Sequence, residues 1–224
     1  MSKSVHKPVV ELNEQKIDAI FADIDQCHLP GAAIGIAVNG RPVYRKGFGL
    51  ASMDLPLVLT PGIRLRIGST SKHFTCCAYL LLCEEGRAGM DDPVGKYLPE
   101  LHPVTQKVTM RQLMASTSGL RDVDDIFLQF NDSYGWDGGA ARSVRSADLL
   151  ALYRSIDDVN AAPGTAWIYN NGGWLILSTV VERITGQSLE QVLWERIFEP
   201  VGMHNTLLRR VDTDFLPNTA WKNP

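Results

Sequence analysis

The most apolar stretch of the chain is Phe74-Thr75-Cys76-Cys77-Ala78-Tyr79-Leu80-Leu81-Leu82-Cys83, and it carries no polar stripe. A helix that is apolar on every face is expected inside a core. At about ten residues it is too short to cross a bilayer. Upstream, Ile17, Ile20, Phe21 and Ile24 fall at i, i+3, i+4 and i+7, which predicts an amphipathic helix over residues 11–27. Pro30-Gly31 ends it. Ala33-Ile34-Gly35-Ile36-Ala37-Val38 then predicts a buried strand. Asn39-Gly40 predicts a hairpin turn, because both residues tolerate positive φ, and Val43 to Gly49 returns as the second strand. Pro56 and Pro61-Gly62 mark loops, and Arg64-Leu65-Arg66-Ile67 is a short extended piece leading into Gly68-Ser69.

Past the apolar run, Glu84-Glu85-Gly86 closes the helix and Met90-Asp91-Asp92-Pro93 turns the chain. A short helix is expected over 94–98. Thr109 with Gln112 fits a capping box that opens a helix through Met114. Residues 122–145 mix Gly, Asp and aromatics and read as a long loop of the lid or binding kind. A helix follows over 146–155. Then Pro163-Gly164-Thr165 turns into Tyr169-Asn170-Asn171, just before an apolar helix over 174–184 that Gly186 ends. Ser188 with Gln191 reads as a second capping box, starting a helix through Phe198 that Pro200 and Gly202 stop. Residues 204–224 are irregular. Two clear strands and a short third stand against six or more helices. Two strands make a poor sheet, so further strands are expected beyond Pro224.

Composition narrows the classes. With 224 residues, of which 45% are hydrophobic, the chain can bury a sizeable core as one large domain or two small ones. The net charge is only −3, and no basic patch alternates with aromatics, so nucleic acid is not an expected partner. No apolar segment is long enough to span a membrane, and Met1-Ser2-Lys3-Ser4 lacks the apolar stretch of a signal peptide. The expected location is therefore cytoplasmic, with no membrane partner. Of the four cysteines, Cys76, Cys77 and Cys83 fall in the apolar run and read, with Cys27, as small buried hydrophobes in a reducing compartment. His6, His28, His73, His102 and His204 show no metal-ligand spacing, so neither a metal nor another cofactor is expected.

The candidate chemistry sits at the head of the apolar run. Ser69 occupies a position that Ser favours as a helix cap. Lys72, three residues on, shares its face. A hydroxyl and an amine side by side at a buried helix N-terminus make a nucleophile with its base. The pattern is short, and Ser4-Val5-His6-Lys7 repeats it in a polar tail with no helix behind it. The Asp91-Asp92 pair, beside Pro93, is expected to cap a turn rather than to act as a catalytic pair.

Taken in order, the motifs resemble those of the penicillin-recognising serine hydrolases: class C β-lactamases, D-Ala-D-Ala carboxypeptidases, related esterases and D-aminopeptidases (peptidase family S12). Pro30-Gly31 opens the hairpin and Gly47-Phe48-Gly49 ends it. Ser69-Thr70-Ser71-Lys72 with Phe74-Thr75 is similar to the nucleophile motif. Ser116-Thr117-Ser118-Gly119-Leu120 stands where the family has His-Thr-Ser-Gly-Leu, with Ser in place of His. Tyr169-Asn170-Asn171 is similar to its Tyr-x-Asn motif, and Phe198-Glu199-Pro200-Val201-Gly202-Met203 to a further typical segment. Ser-Lys-x-Phe-Thr-Cys and Ser-Gly-Leu-Arg-Asp look most like D-stereospecific aminopeptidases and D-amino acid amidases.

The resemblance implies a β-lactamase/transpeptidase-like α/β (α+β) fold. Its antiparallel sheet is flanked by helices, with a helical region inserted between strands. Residues 1–224 would then be the N-terminal portion of one catalytic domain. Within it, 11–68 would give the first helix and strands, 69–203 the helical region, and 204–224 a segment leading to later strands. It also implies acyl-enzyme chemistry on a small peptide, amide or ester substrate. Ser69 would attack and its backbone N–H would serve the oxyanion hole. Lys72 would act as base, Tyr169 would carry the proton to the leaving group, and Asn171 would orient Lys72 and meet the substrate amide. Asn171 also reads as an N-cap, and Asn170 is expected to point away. A third motif, Lys-Thr-Gly or His-x-Gly on a later strand, does not follow Met203. The chain alone is therefore expected to be inactive, and a C-terminal segment or companion chain to complete it. An esterase or β-lactamase/carboxypeptidase of this fold is the alternative, and a non-catalytic scaffold or sensor is the alternative of another class.

Overall fold

A computed structural model describes residues 12–25, 28–55, 57–123 and 146–209. They fall into two units, one ending at Arg66 and one starting at Ile67. The sequence-predicted loop at 122–145 lies almost wholly outside the described residues, as do Cys27 and residues 210–224.

In the first unit, α1 is Glu14–Ile20, shorter than the periodicity suggests. Asn13 caps it, its side chain accepting from the Lys16 N–H. Strands β1 (Ala32–Val38) and β2 (Arg41–Phe48) form an antiparallel hairpin. The turn is the expected Asn39-Gly40, with φ of 51° and 75°. Asp18 on α1 takes the Lys46 ammonium at 2.8 Å and the Tyr44 hydroxyl at 2.5 Å, which ties the helix to β2. Phe21 stacks on Phe48 at 5.0 Å between ring centroids. β1 departs from expectation: none of its residues is fully buried, and inward and outward positions alternate. Among the described residues its sheet has only two strands, so the alternate side chains of β1 face outward. The expected third strand at 64–67 is replaced by a separate small antiparallel pair, β3 (Leu50–Ser52) and β4 (Leu57–Val58).

The second unit is helical. It contains α2 (Ser71–Glu84), α3 (Pro103–Gln106), α4 (Met110–Met114), α5 (Ser146–Leu152), α6 (Gly172–Thr185) and α7 (Leu189–Leu193). Its core gathers Ala78, Tyr79 and Leu82 of α2 with Ile176, Leu177, Val180 and Val181 of α6, and with Met110, Leu113, Val192 and Phe198. Full burial of each aliphatic or aromatic side chain stabilises by about 1.5–3 kcal/mol. The Thr109–Gln112 capping box forms as predicted. At Ser188 only half the box forms: its hydroxyl accepts from the Gln191 N–H, while the Gln191 amide turns to Glu195. Gly186 ends α6 in the left-handed conformation, φ 73°, with its N–H on the Glu182 carbonyl. The helix after α7 continues as a π-helical turn, Trp194–Phe198.

α2 itself corrects one expectation. It is not wholly interior. Thr75, Ala78, Tyr79 and Leu82 are buried, whereas Cys77 and Leu80 are exposed. A helix packed on one side buries positions spaced by three and four, with Phe74 and Cys83 at the edge of the packed face and Cys77 and Leu80 facing outward. Composition could not separate the two faces because both are apolar. The Asp91-Asp92 pair behaves as a turn. Asp92 accepts from the Gly89 N–H, Lys96 and Tyr97, and Asp91 pairs with Arg111.

Candidate active site

Gly68, at φ 52°, lets the chain enter a single 3₁₀ turn, Gly68–Thr70, that runs directly into α2. Ser69 thus stands at the head of a 14-residue helix. Free N–H groups and the positive end of the helix dipole favour developing negative charge there. One turn on, the Lys72 Nζ donates to Ser69 Oγ at 3.0 Å and to Asn171 Oδ1 at 2.8 Å. The Tyr169 hydroxyl lies 2.5 Å from Ser69 Oγ, and Lys72 Nζ stands 4.9 Å from the Tyr169 ring centroid. All four side chains singled out in the sequence, Ser69, Lys72, Tyr169 and Asn171, therefore meet at one place. They come from two segments about a hundred residues apart, all within the second unit.

The hydroxyl of Ser69 is not used as a cap, contrary to expectation. It is turned to Lys72 and Tyr169 instead. The site is also more open than a buried helix end would be: Ser69 is exposed and Tyr169 is 44% exposed. The Lys72 ammonium first, then the Ser69 hydroxyl, hold the Tyr169 phenol below its ordinary value. Partial desolvation and the Asp122 charge push the other way.

The segment bearing Tyr169 is held by the Ser116-Thr117-Ser118-Gly119-Leu120 loop. The Ile168 N–H donates to the Ser116 carbonyl at 2.9 Å, and the Gly164 N–H to the Thr117 carbonyl at 2.7 Å. Gly119, at φ 68°, admits the backbone of Ala161, whose oxygen would lie 2.0 Å from any Cβ there. Asn171, at the start of α6, makes no capping bond; its side chain serves Lys72. The cap comes from Asn170, whose Oδ1 accepts from the Gly173 N–H at 2.6 Å while its Nδ2 donates to the Leu120 carbonyl at 2.8 Å. Asn170 does point away from Lys72, as expected, but into a buried structural position. Sequence reading also missed Asp122. Its carboxylate accepts from the Asn171 N–H at 2.8 Å and the Gly172 N–H at 3.1 Å. Nothing local to Asp122 marks a link to residues 49 and 50 positions later. The only signal was its place at the end of Ser-Gly-Leu-Arg-Asp. Among the described residues no group of three or more His, Cys, Asp or Glu is placed to hold a metal ion. No helix there is long and apolar enough to cross a membrane.

With this geometry in view, comparison with known proteins is informative. Residues 16–224 match the model of the family described as Beta-lactamase. A D-aminopeptidase of Brucella anthropi is 32% identical over 191 residues, which are 85% of this chain and 34% of that protein. The octameric penicillin-binding protein homologue from Pyrococcus abyssi is 30% identical, with a TM-score of 0.74 over 86% of this chain and 44% of its own. The D-amino acid amidase of Ochrobactrum anthropi, at 23% identity, shares the fold with a TM-score of 0.76 over 92% of this chain and 55–56% of its own. The chain spans 34–39% of the length of the curated relatives it matches.

Proposed function

We infer that this chain, which belongs to the beta-lactamase family, is the part of a serine hydrolase that forms the acyl-enzyme, acting on amide or peptide bonds. The observation that carries the reading is the convergence on Ser69 Oγ of the Tyr169 hydroxyl at 2.5 Å and the Lys72 ammonium at 3.0 Å. Ser69 Oγ attacks the carbonyl carbon and forms the new C–O bond. Its proton passes to the Tyr169 phenolate oxygen. The carbonyl electron pair moves onto oxygen, where the Ser69 N–H at the helix head receives it. Collapse of that adduct breaks the C–N bond, and the amine leaves with the proton returned from Tyr169. Water then repeats the sequence on the ester and frees Ser69. In this reading Tyr169 takes the part of base that the resemblance gave to Lys72, Lys72 favours phenolate at Tyr169, and Asn171 holds Lys72 in place.

The likeness to a D-aminopeptidase supports a D-amino acid amide or peptide as substrate. An esterase is the second reading, supported by the openness of the site around an exposed Ser69. A fluorophosphonate followed by peptide mass spectrometry should label Ser69, and S69A should abolish the label. An unlabelled Ser69 would leave the non-catalytic reading standing. Turnover of D-amino acid amides, L-amides and short-chain esters, run side by side, separates peptidase from esterase. The reading includes a completing polypeptide that supplies a second oxyanion donor. One lost donor costs about 10²–10³ in rate. Adding that polypeptide as a separate chain should raise turnover, and no gain on addition would remove this part of the reading.

A further inference from the structure

We propose that Asp122 is a positioning residue for the Lys72–Asn171 pair, holding the backbone on which Asn171 stands. The inference rests on Ser69 being the nucleophile, as read above. Asp122 is 7% exposed. Each of its carboxylate oxygens takes one backbone N–H at the start of α6: Oδ2 takes that of Asn171 at 2.8 Å and Oδ1 that of Gly172 at 3.1 Å.

A helix leaves its first N–H groups without partners of its own, and a carboxylate is the acceptor best suited to them. Here the two groups belong to the residue that holds Lys72 and to its successor. Asn171 Oδ1 can stand 2.8 Å from Lys72 Nζ only while its own backbone is fixed. Three more contacts lock the same corner. Asn170 bridges the Leu120 carbonyl and the Gly173 N–H. The Tyr153 hydroxyl donates to the Arg121 carbonyl at 2.8 Å. Gly172 lacks a Cβ where one would lie 1.9 Å from that hydroxyl. The segment just before Asp122 is thus tied to Asn170, at the start of α6, and to Tyr153. Asn170 takes the Gly173 N–H, and Asp122 takes the two N–H groups before it, so the backbone of the residue that holds the lysine is tied to Asp122.

The lysine so held acts in turn on Tyr169. The Lys72 ammonium is the main group that favours phenolate there, ahead of the Ser69 hydroxyl, with partial desolvation and, last, the Asp122 charge opposing them. Loosening Lys72 should therefore raise the pH at which Tyr169 loses its proton.

D122N keeps the shape, deletes the charge and sets an NH₂ group against one of the two N–H donors. In the full-length protein, its rate of Ser69 labelling by diisopropyl fluorophosphate should fall about tenfold or more, as for a small misplacement of reacting groups. In the same variant, the Tyr169 titration followed by ¹³C-tyrosine NMR should move to higher pH, because the lysine that favours phenolate is no longer held in place. In an N171A background, D122N should slow labelling much less, since both changes act through one contact. A folded D122N with wild-type labelling, or with slowed labelling and an unmoved Tyr169 titration, overturns the proposal. Should D122N fail to fold, D122E keeps the charge at the wrong reach. It must label at least about tenfold more slowly with Tyr169 again titrating at higher pH, and unchanged labelling overturns the proposal. If wild-type Ser69 takes no label at all, the serine-hydrolase reading falls, while the NMR titration still decides whether Asp122 holds Lys72 against Tyr169.

Discussion

Tyr169 sets the expected pH behaviour of the site. Its phenol lies below its ordinary value because Lys72 and then Ser69 stabilise the phenolate. Acylation should therefore rise with pH through a midpoint below that of a free tyrosine, near 10. A profile of labelling rate against pH checks this. Y169F, which keeps the ring and removes the proton carrier, should slow acylation by about 10²–10⁴ and flatten that limb. Asn170 and Asn171 are adjacent and chemically identical, yet they divide the work. Asn171 serves Lys72, whereas Asn170 caps α6 from a buried position. N170A should lower stability by about 1 kcal/mol through loss of the cap, read as a fall in melting temperature. The motif order pointed to the four side chains that the structure gathers around Ser69 Oγ. It did not point to Asp122, because a bond between residues 49 apart leaves no trace in either local pattern.

At the level of elements, α2 and the Ser116-Thr117-Ser118-Gly119-Leu120 loop decide the site. The loop is a backbone ledge for the Tyr169 segment, and Gly119 permits the closest approach, to the Ala161 oxygen. G119A places a methyl in that space at a left-handed φ of 68°. It should destabilise by about 1–3 kcal/mol from backbone strain alone and displace Tyr169 from Ser69. Thermal melting read together with Ser69 labelling tests both effects. α2 presents two apolar faces, of which one is packed. Its exposed Cys77 should react with a maleimide before Cys76 and Cys83, whose thiols burial pushes up and so keeps protonated. Peptide mapping after brief labelling gives the order, and first modification at Cys76 would contradict the assigned faces.

For the whole molecule, acid is the expected route to unfolding. Asp18 is held below the usual carboxylate range by Lys46 and then Tyr44, Asp92 by Lys96 and then Tyr97, and Glu100 by Arg183. A carboxyl lowered in the folded state contributes stability that is complete above its unfolded value, near 4. That contribution is lost as pH falls through the lowered folded value. Stability should thus be flat near neutrality and fall below about pH 4. In D92N the fall should be shallower, because one of these carboxyls no longer titrates. Denaturant melts at a series of pH values measure the slope. Each unit contributes its own carboxylates: Asp18 in the first, Asp92 and Glu100 in the second.

The sequence by itself determined the elements whose cause is local. The Asn39-Gly40 turn, the Thr109–Gln112 capping box and the Gly186 stop each follow from the conformational preference of one or two residues. The nucleophile motif was legible because its serine and lysine share one helical turn. Tertiary structure alone decided which face of α2 is packed, which asparagine caps α6, and that Asp122 reaches its first turn. It also decided that β1 carries no fully buried residue. These outcomes depend on what lies across a contact from far along the chain. A residue's own neighbours in sequence carry no record of that partner, so side chains of equal polarity remain indistinguishable until the chain folds.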